Sequence, residues 1–438
     1  MVVTGESKLK ERKQKGRQKI RWERLDNTAN LFPAIASQNM TNVYRISVTL
    51  TEEIDGALLQ QALDKVLPRF DTFHVRMRKG IFWYYFETNT KPAPIVRQEK
   101  YYPCRYIDPY ANNNYLFRLT YYHSRINLEV FHVLADGMGG VNFLREITYQ
   151  YLRLKYDALE EKEQDDFSDE TSLNTEDSYI KNYKKSHKKG YQTKRAVEVK
   201  GDKLLAGEIS VIHGFMPIKA VKAACKKYDV SINEYFTAVF LYSIYREYLH
   251  GQPSAKPIAA SIPVNLRPYF DSLTTRNFFV MVSAVFLPDR ENISLEEVMG
   301  IVKQSLREQI NKEHLEELFS YNVSNQKNIF LRFVPIFIKI LAMRFVYRSS
   351  ARANTTTVTN IGNIQIEEAY QPYIRHFHAM ISRSVGQSIK GAVCSYQDTM
   401  VFTITSALLD VSIQRCFFRA LAADGIPLLI ETNGIHEK

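Results

Sequence analysis

The sequence predicts a mixed α/β or α+β fold built on large mixed sheets. Three observations carry this. Short apolar or alternating runs that read as strands are interleaved with segments of helical period along the chain. The 27 tyrosines and 25 phenylalanines favour strands and broad apolar packing surfaces. With 438 residues, 45% of them hydrophobic, the chain can bury a large core, as two or three domains or one large paired unit.

Residues 1–20 are dominated by Lys and Arg and read as a solvated basic arm. A first globular half spans residues 21–158. Tyr44 to Thr51 alternates as a strand, and Asp55 to Leu67 has Leu58, Leu59, Ala62, Leu63 and Val66 on one helical face. Ile81 to Phe86, Leu116 to Tyr121 and Arg125 to His132 read as further strands. Residues 159–200 form a charged linker or crossover, in which an acidic block (Glu160 to Asp177) abuts a basic one (Lys181 to Arg195). No nucleic-acid-binding motif accompanies the basic block, so a solvated linker is expected rather than a nucleic-acid contact.

The second half covers residues 201–438. Ile218 to Tyr228 reads as a helix, and Ser231 caps another running to Tyr248. Ile258 to Val264 is a short buried strand, Phe278 to Leu287 another, and Ser294 to His314 is helical. Thr355 to Ile361 and Val401 to Ser406 complete the strands. In Ile329 to Tyr347, Arg332, Lys339, Arg344 and Pro335 argue against a membrane-spanning helix. The expectation is a mostly buried helix with cationic heads reaching outward. The alternative is an interfacial helix touching lipid or a greasy substrate, a peripheral membrane contact.

The net charge of +11 permits anionic partners: nucleic acid, a membrane surface or a phosphorylated cofactor. Cys104, Cys225, Cys394 and Cys416 are far apart without a C-x-x-C pair, which argues against structural zinc and a disulfide framework. A reducing cytoplasm fits, and no apolar signal core follows the basic N-terminus.

The most informative segment is Asn127-Leu-Glu-Val-Phe-His132-Val-Leu-Ala-Asp136-Gly137-Met-Gly139-Gly140. Ile126, Leu128, Val130 and His132 share one strand face, so the imidazole leaves the core side where the strand ends. Gly137, Gly139 and Gly140 allow positive φ or close backbone approach. Val141, Leu144, Ile147, Tyr151 and Leu154 then recur at helical spacing. A histidine between a strand end and a helix N-terminus suits a general base near a place where negative charge develops. Read locally, a structural histidine fits equally well. His74, His123, His213, His376 and His378 show no metal-ligand pattern. His376 and His378 share a strand face, so a metal pair is the alternative there to ordinary core or surface histidines.

The chain resembles the coenzyme-A-dependent acyltransferase superfamily, which includes chloramphenicol acetyltransferases and the condensation domains of peptide synthetases. Within it, the bacterial stand-alone alcohol acetyltransferase-like proteins are the nearest group. The residues that carry the resemblance are Arg24 to Phe32, Gly80 to Tyr84, His132 to Gly140, Ser261-Ile-Pro-Val-Asn-Leu-Arg267, Arg276-Asn277-Phe278 and Thr359-Asn360-Ile-Gly-Asn363. It covers about Arg21 to Leu429. The resemblance implies two similar subdomains in a V-shaped pseudo-dimer, with His132 midway along a tunnel entered from opposite mouths by donor and acceptor. It implies that Asp136 is structural and pairs with Arg267, and that His132 is the base. Backbone N–H groups near Gly137, or a side chain opposite for which Thr359 and Asn360 are the candidates, would meet the oxyanion.

The activity implied is transfer of an acyl group from acyl-coenzyme A, a co-substrate rather than a tightly bound cofactor, to an alcohol or other hydroxyl of a small-molecule or lipid acceptor. The alternatives are N-acyl transfer, a stand-alone condensation enzyme fed by an acyl carrier protein, and a catalytically idle lipid- or partner-binding relative. The sequence departs from condensation domains in having Phe131 rather than a second histidine before His132. It lacks the Asp-Phe-Gly-Trp-Gly segment of the plant enzymes and carries no carrier or adenylation segment.

Overall fold

The protein is described by a computed structural model for residues 20–159, 167–168, 171–185, 194–328 and 332–436. Most of the basic arm and large parts of the two charged blocks of the crossover therefore lie outside the described residues. The first half runs β1 (Trp22–Arg24), α1 (Leu31–Ile35), β2 (Val43–Leu50), α2 (Gly56–Val66), β3 (Val75–Lys79), β4 (Tyr84–Thr88), β5 (Arg97–Gln98), β6 (Phe117–Tyr122), β7 (Arg125–Phe131) and α3 (Gly137–Lys155). The crossover carries a single short helix, α4 (Ser178–Lys181), among its described residues. The second half continues β8 (Ser210–Pro217), α5 (Ile218–Lys227), α6 (Ile232–Tyr248), β9 (Ile258–Asn265), α7 (Arg267–Phe270), β10 (Phe279–Phe286), α8 (Leu295–Gln309), α9 (Lys312–Lys327) and α10 (Ile336–Ala351). It ends β11 (Thr356–Asn363), β12 (Ile374–Ile381), β13 (Ile389–Tyr396), β14 (Thr399–Ser406), α11 (Ser412–Ala423) and β15 (Leu429–Thr432).

The strands form two large mixed sheets and one small one, in two subdomains. The first large sheet has the order β12-β2-β7-β6-β5 and the second β10-β9-β11-β13-β14-β8-β15; β1-β4-β3 is the small one. The first sheet takes its edge strand from the far end of the chain: β12 pairs antiparallel with β2, Phe377 opposite Val48 and Ala379 opposite Ile46. A boundary near residue 200 thus divides the sequence but not the sheets. The described part of the crossover is sewn to the second half, with Thr275 N–H donating to the Asn174 carbonyl at 2.7 Å.

Local chemistry explains the element ends. The Asp55 carboxylate accepts from the Ala57 and Leu58 amides and caps α2. Ser231 and Glu234 form a reciprocal capping box on α6. The helical stretch read from Ser294 to His314 is two helices, because Asn311 turns its side-chain oxygen onto the His314 amide (2.9 Å) and starts α9. Similarly, Gly80 to Trp83 is the β3–β4 turn, closed by Gly80 N–H on the Trp83 carbonyl (2.8 Å), so the strand read from Ile81 begins only at Tyr84.

Strand β7 is buried on both faces. Its apolar face joins the core beneath α2 and α3. Its polar face is matched rather than solvated: Asn127 receives the Ser47 hydroxyl at 2.8 Å, and Glu129 is held by Arg45 and Arg118. A second core lies under α6, α8 and α11, on the opposite side of the second sheet; Val401 faces the first core and Phe402 the second.

One expectation is overturned. Helix α10 is not mostly buried: of its sixteen residues only Ile336 and Ala351 are, and Phe337, Leu341, Phe345 and Val346 face outward. Its inner face packs on α1 and the turn that follows it, where Ile340, Met343 and Tyr347 pack against the cluster of Ala34, Ile35 and Met40. Nothing among the described residues covers the other side. Residues 329–331 of the same apolar segment lie outside the described residues. No described helix is long and apolar enough to cross a membrane.

Candidate active site

His132 follows β7 directly, and its backbone N–H donates to the Asn42 carbonyl at 2.9 Å. The imidazole is gripped by three aromatic rings. Phe32 of α1 stacks on it with ring centres 4.7 Å apart, Tyr44 meets it edge-on at 5.1 Å, and Phe279 closes at 5.5 Å. Burial holds its pKa below the usual histidine value, against the opposing charge of Asp136, so the neutral ring predominates at neutral pH.

The tautomer is set by a relay. His132 Nδ1 lies 3.0 Å from Asn277 Oδ1, and Asn277 Nδ2 donates to Asp26 Oδ2 at 3.1 Å. Because the Asn277 amide nitrogen is engaged by the carboxylate, its oxygen faces the ring, and Nδ1 carries the proton. The Nε2 lone pair is left free to accept one. Asp26 is buried, its other oxygen accepts from the Ala29 amide at 2.7 Å, and burial pushes its pKa up to about 7. The crossover braces the same place. The Tyr179 hydroxyl accepts from Thr28 at 2.9 Å and donates to the Phe279 carbonyl at 2.7 Å.

Asp136 caps α3 and is saturated. Oδ1 accepts from Gly139 N–H (3.3 Å) and Arg267 Nη2 (3.0 Å); Oδ2 accepts from Arg267 Nη1 (2.8 Å) and Phe278 N–H (3.0 Å). Arg267 is equally committed. Its five N–H groups go to the two carboxylate oxygens, the Thr274 and Arg276 carbonyls and Asn265 Oδ1. A carboxylate with four donors has no acceptor site left for a substrate proton, so its work is to fix the loop. The pair also joins the halves, since Asp136 stands on the first and Arg267 on the second. Three consecutive residues of the second half extend that seam: Arg276 pairs with Glu23, Asn277 reaches His132, and Phe278 caps Asp136.

The glycines of the turn differ in need, and none has a positive φ. A Cβ at Gly139 would lie 2.1 Å from the Thr275 carbonyl oxygen, and one at Gly140 would lie 2.7 Å from the Tyr44 hydroxyl, itself bonded to the Asp136 carbonyl at 2.8 Å. At Gly137 a Cβ would meet only Ile361, at an ordinary 3.5 Å. Thus β11 passes the helix N-terminus at Ile361, and before the bulge that follows Asn360 the side chain of Thr359 lies on the face opposite Val358, which joins the second core. Asn360 turns elsewhere: its amide donates to Asn233 Oδ1 and its oxygen accepts from Gly362 N–H, both at 2.8 Å. Lys390 on β13 is a buried lysine that sequence reasoning missed. Burial brings its pKa down to about 7, and Ser384 accepts a hydrogen bond from it.

His376 and His378 stack at 4.7 Å, and His378 lies 4.6 Å from His213. His213 Nδ1 is 2.8 Å from the Thr403 hydroxyl. Among the described residues no group of three or more His, Cys, Asp or Glu is arranged to hold a metal ion.

No family model matches the chain, and no curated protein does. Solved structures do. Polyketide synthase associated protein 5 from Mycobacterium tuberculosis is 12% identical and superimposes with a TM-score of 0.61 over 91% of this chain and 96% of that one. TRI101 of F. sporotrichioides, solved with coenzyme A and T-2, is 11% identical with a TM-score of 0.61, over 92% and 97% of the two chains. The starter condensation domain of rhizomide synthetase RzmA, solved with C8-CoA, is 13% identical with a TM-score of 0.57, over 93% and 97%. At these identities the likeness establishes a common two-subdomain fold over nearly the whole chain.

Proposed function

We propose that the protein is an acyltransferase that moves an acyl group from acyl-coenzyme A to the hydroxyl of an alcohol or lipid acceptor, with His132 as general base. The observation that carries this is the His132–Asn277–Asp26 relay. It presents a neutral imidazole with Nε2 unprotonated, in a fold shared with proteins solved with coenzyme A or an acyl-coenzyme A.

In this reading Nε2 takes the acceptor hydroxyl proton as the oxygen attacks the thioester carbonyl carbon. The carbon–oxygen bond forms and the carbonyl electrons move onto oxygen. The tetrahedral intermediate then collapses, the carbon–sulfur bond breaks, and the thiolate leaves with the proton held on Nε2. No covalent acyl-enzyme is needed, so positioning of the two substrates supplies much of the rate. Asn277 and Asp26 are positioning residues that keep the proton on Nδ1. Asp136 and Arg267 hold the loop. The oxyanion is best met by the N-terminus of α3 at Gly137, with Thr359 the side chain opposite; the Asn360 amide is already engaged.

The test is free-thiol release from acetyl-, butyryl- and palmitoyl-coenzyme A with a panel of alcohols and amines, wild type beside H132A. The expected result is acceptor-dependent release that falls about 10²–10⁴-fold in the variant. Release equal in the two folded proteins would overturn the assignment of His132.

A further inference from the structure

Helix α10 has the geometry of a helix lying in a bilayer surface. At 100° per residue, Phe337, Leu341, Phe345, Ile338 and Val346 fall within an arc of about 180°. Phe337 is 61% exposed, Leu341 64% and Phe345 78%. Arg344 stands at one edge of this arc and Lys339 at the other, while Arg348, one turn beyond Arg344, falls just inside the first edge at the C-terminal end of the helix. The tip of the β3–β4 turn extends the apolar surface. Ile81 is 75% exposed, Phe82 packs edge-on against Phe333 at 6.3 Å, and Lys339 Nζ sits 3.4 Å above the Trp83 ring while donating to the Phe82 carbonyl. The Ile336 amide, bonded to the Ile81 carbonyl at 2.9 Å, fixes turn and helix to each other.

The charge of the segment says what covers this face. Between Glu317 and Glu367 the sequence has no acidic residue, but it has Lys327, Arg332, Lys339, Arg344, Arg348 and Arg352. Among the described residues no carboxylate pairs with any of the last five. A second copy would bring like charges together across a two-fold axis. The basic N-terminal arm has neither the apolar residues nor the charge to cover it. An anionic bilayer meets both demands at once, since acyl chains receive the aromatic and aliphatic face while headgroups receive the flanking cations.

We infer that α10 and the β3–β4 turn dock the protein on an anionic lipid surface. The inner face of α10 packs on α1, whose Phe32 stacks on His132, so docking holds the candidate site one helix away from the lipid.

The test is cosedimentation of the full chain with phosphatidylcholine vesicles, with and without phosphatidylglycerol, for wild type and the triple variant F337S/L341S/F345S. Binding is expected only or mainly with phosphatidylglycerol, weakening as salt is raised and falling at least about 10-fold in the triple variant. The substituted side chains are exposed, and an unchanged thermal transition establishes that the variant is folded. A second reading needs no change in α10: in W22F, Trp83 is the sole tryptophan, and brominated lipids should quench its emission. Absence of binding to either vesicle overturns the inference, as does undiminished binding by the folded triple variant. So does a wild-type dimer in sedimentation that the triple variant abolishes, which would assign the face to a second copy.

Discussion

Arg267→Met is the sharpest test of the Asp136 brace. The substitution keeps the side-chain stem but removes both guanidinium bonds to the carboxylate, at 2.8 and 3.0 Å. Asp136 would then keep only the Gly139 and Phe278 amides as donors, with its side chain 9% exposed and the charge uncompensated. Breaking one side of a buried ion pair costs about 3–5 kcal/mol. The Thr274 and Arg276 carbonyls lose their donor as well, which places R267M at the upper end. Neutralising the stranded group should restore part of the loss, so R267M/D136N should be about 1–2 kcal/mol more stable than R267M alone. Urea unfolding of the wild type, the two single variants and the double variant gives the cycle. Because the pair also fixes the His132 loop, kcat should fall in R267M. A cost below about 1 kcal/mol for R267M, or strict additivity in the cycle, would refute the view that a desolvated charge pair joins the halves.

Three further outcomes follow from the same geometry. Asp26→Asn replaces the acceptor of the Asn277 amide with a group that can donate, which favours rotation of Asn277 and the wrong His132 tautomer; kcat should drop about 10²–10⁴-fold with the fold intact, read by thiol release beside circular dichroism. Gly139→Ala must push the Thr275 carbonyl aside and should lower stability by about 1–3 kcal/mol, whereas Gly137→Ala should fold normally and lose activity by filling the space beside Ile361; thermal unfolding and kinetics separate the two. Burial, with the Arg125 charge, brings His213 down to about 3 and His376 to about 4. The unfolded chain therefore binds protons first, and stability present above about pH 6.5 is lost as pH falls towards those values. Near pH 5 the loss should be about 2 kcal/mol from His213 and less from the more exposed His376, and His213→Gln should flatten the pH dependence of urea midpoints.

Much of this was legible in the chain, and the parts that were not have physical reasons. The strand–His–turn–helix segment could be read because its signals are local: a period of two, a run of glycines, then a period near 3.6. Asn277 and Asp26 stood in segments noted for their family resemblance, yet nothing assigned them to His132. Asn277 is 145 positions away and its pairing is purely tertiary. Asn360 looked like a companion of Thr359, but adjacent strand residues face opposite ways, and Asn233 claims its amide. The second face of β7 carries Asn127 and Glu129 and is buried because Ser47, Arg45 and Arg118 on neighbouring strands match them, a pairing that local sequence does not show. Helix α10 misled for the opposite reason. An apolar helix reads as core, and the sequence does not say whether a second layer will cover it.

The borrowed edge of the first sheet bears on how the protein is made. Once β7 has left the ribosome, about 250 more residues must be synthesised before β12 can join β2, which at about 5–20 residues per second takes some 10–50 s. Throughout that interval β2 presents an unpaired edge from Val43 to Leu50, a row of free backbone N–H and C=O groups of the kind on which other strands can pair. A fragment ending before residue 374 would lack the strand that closes this edge.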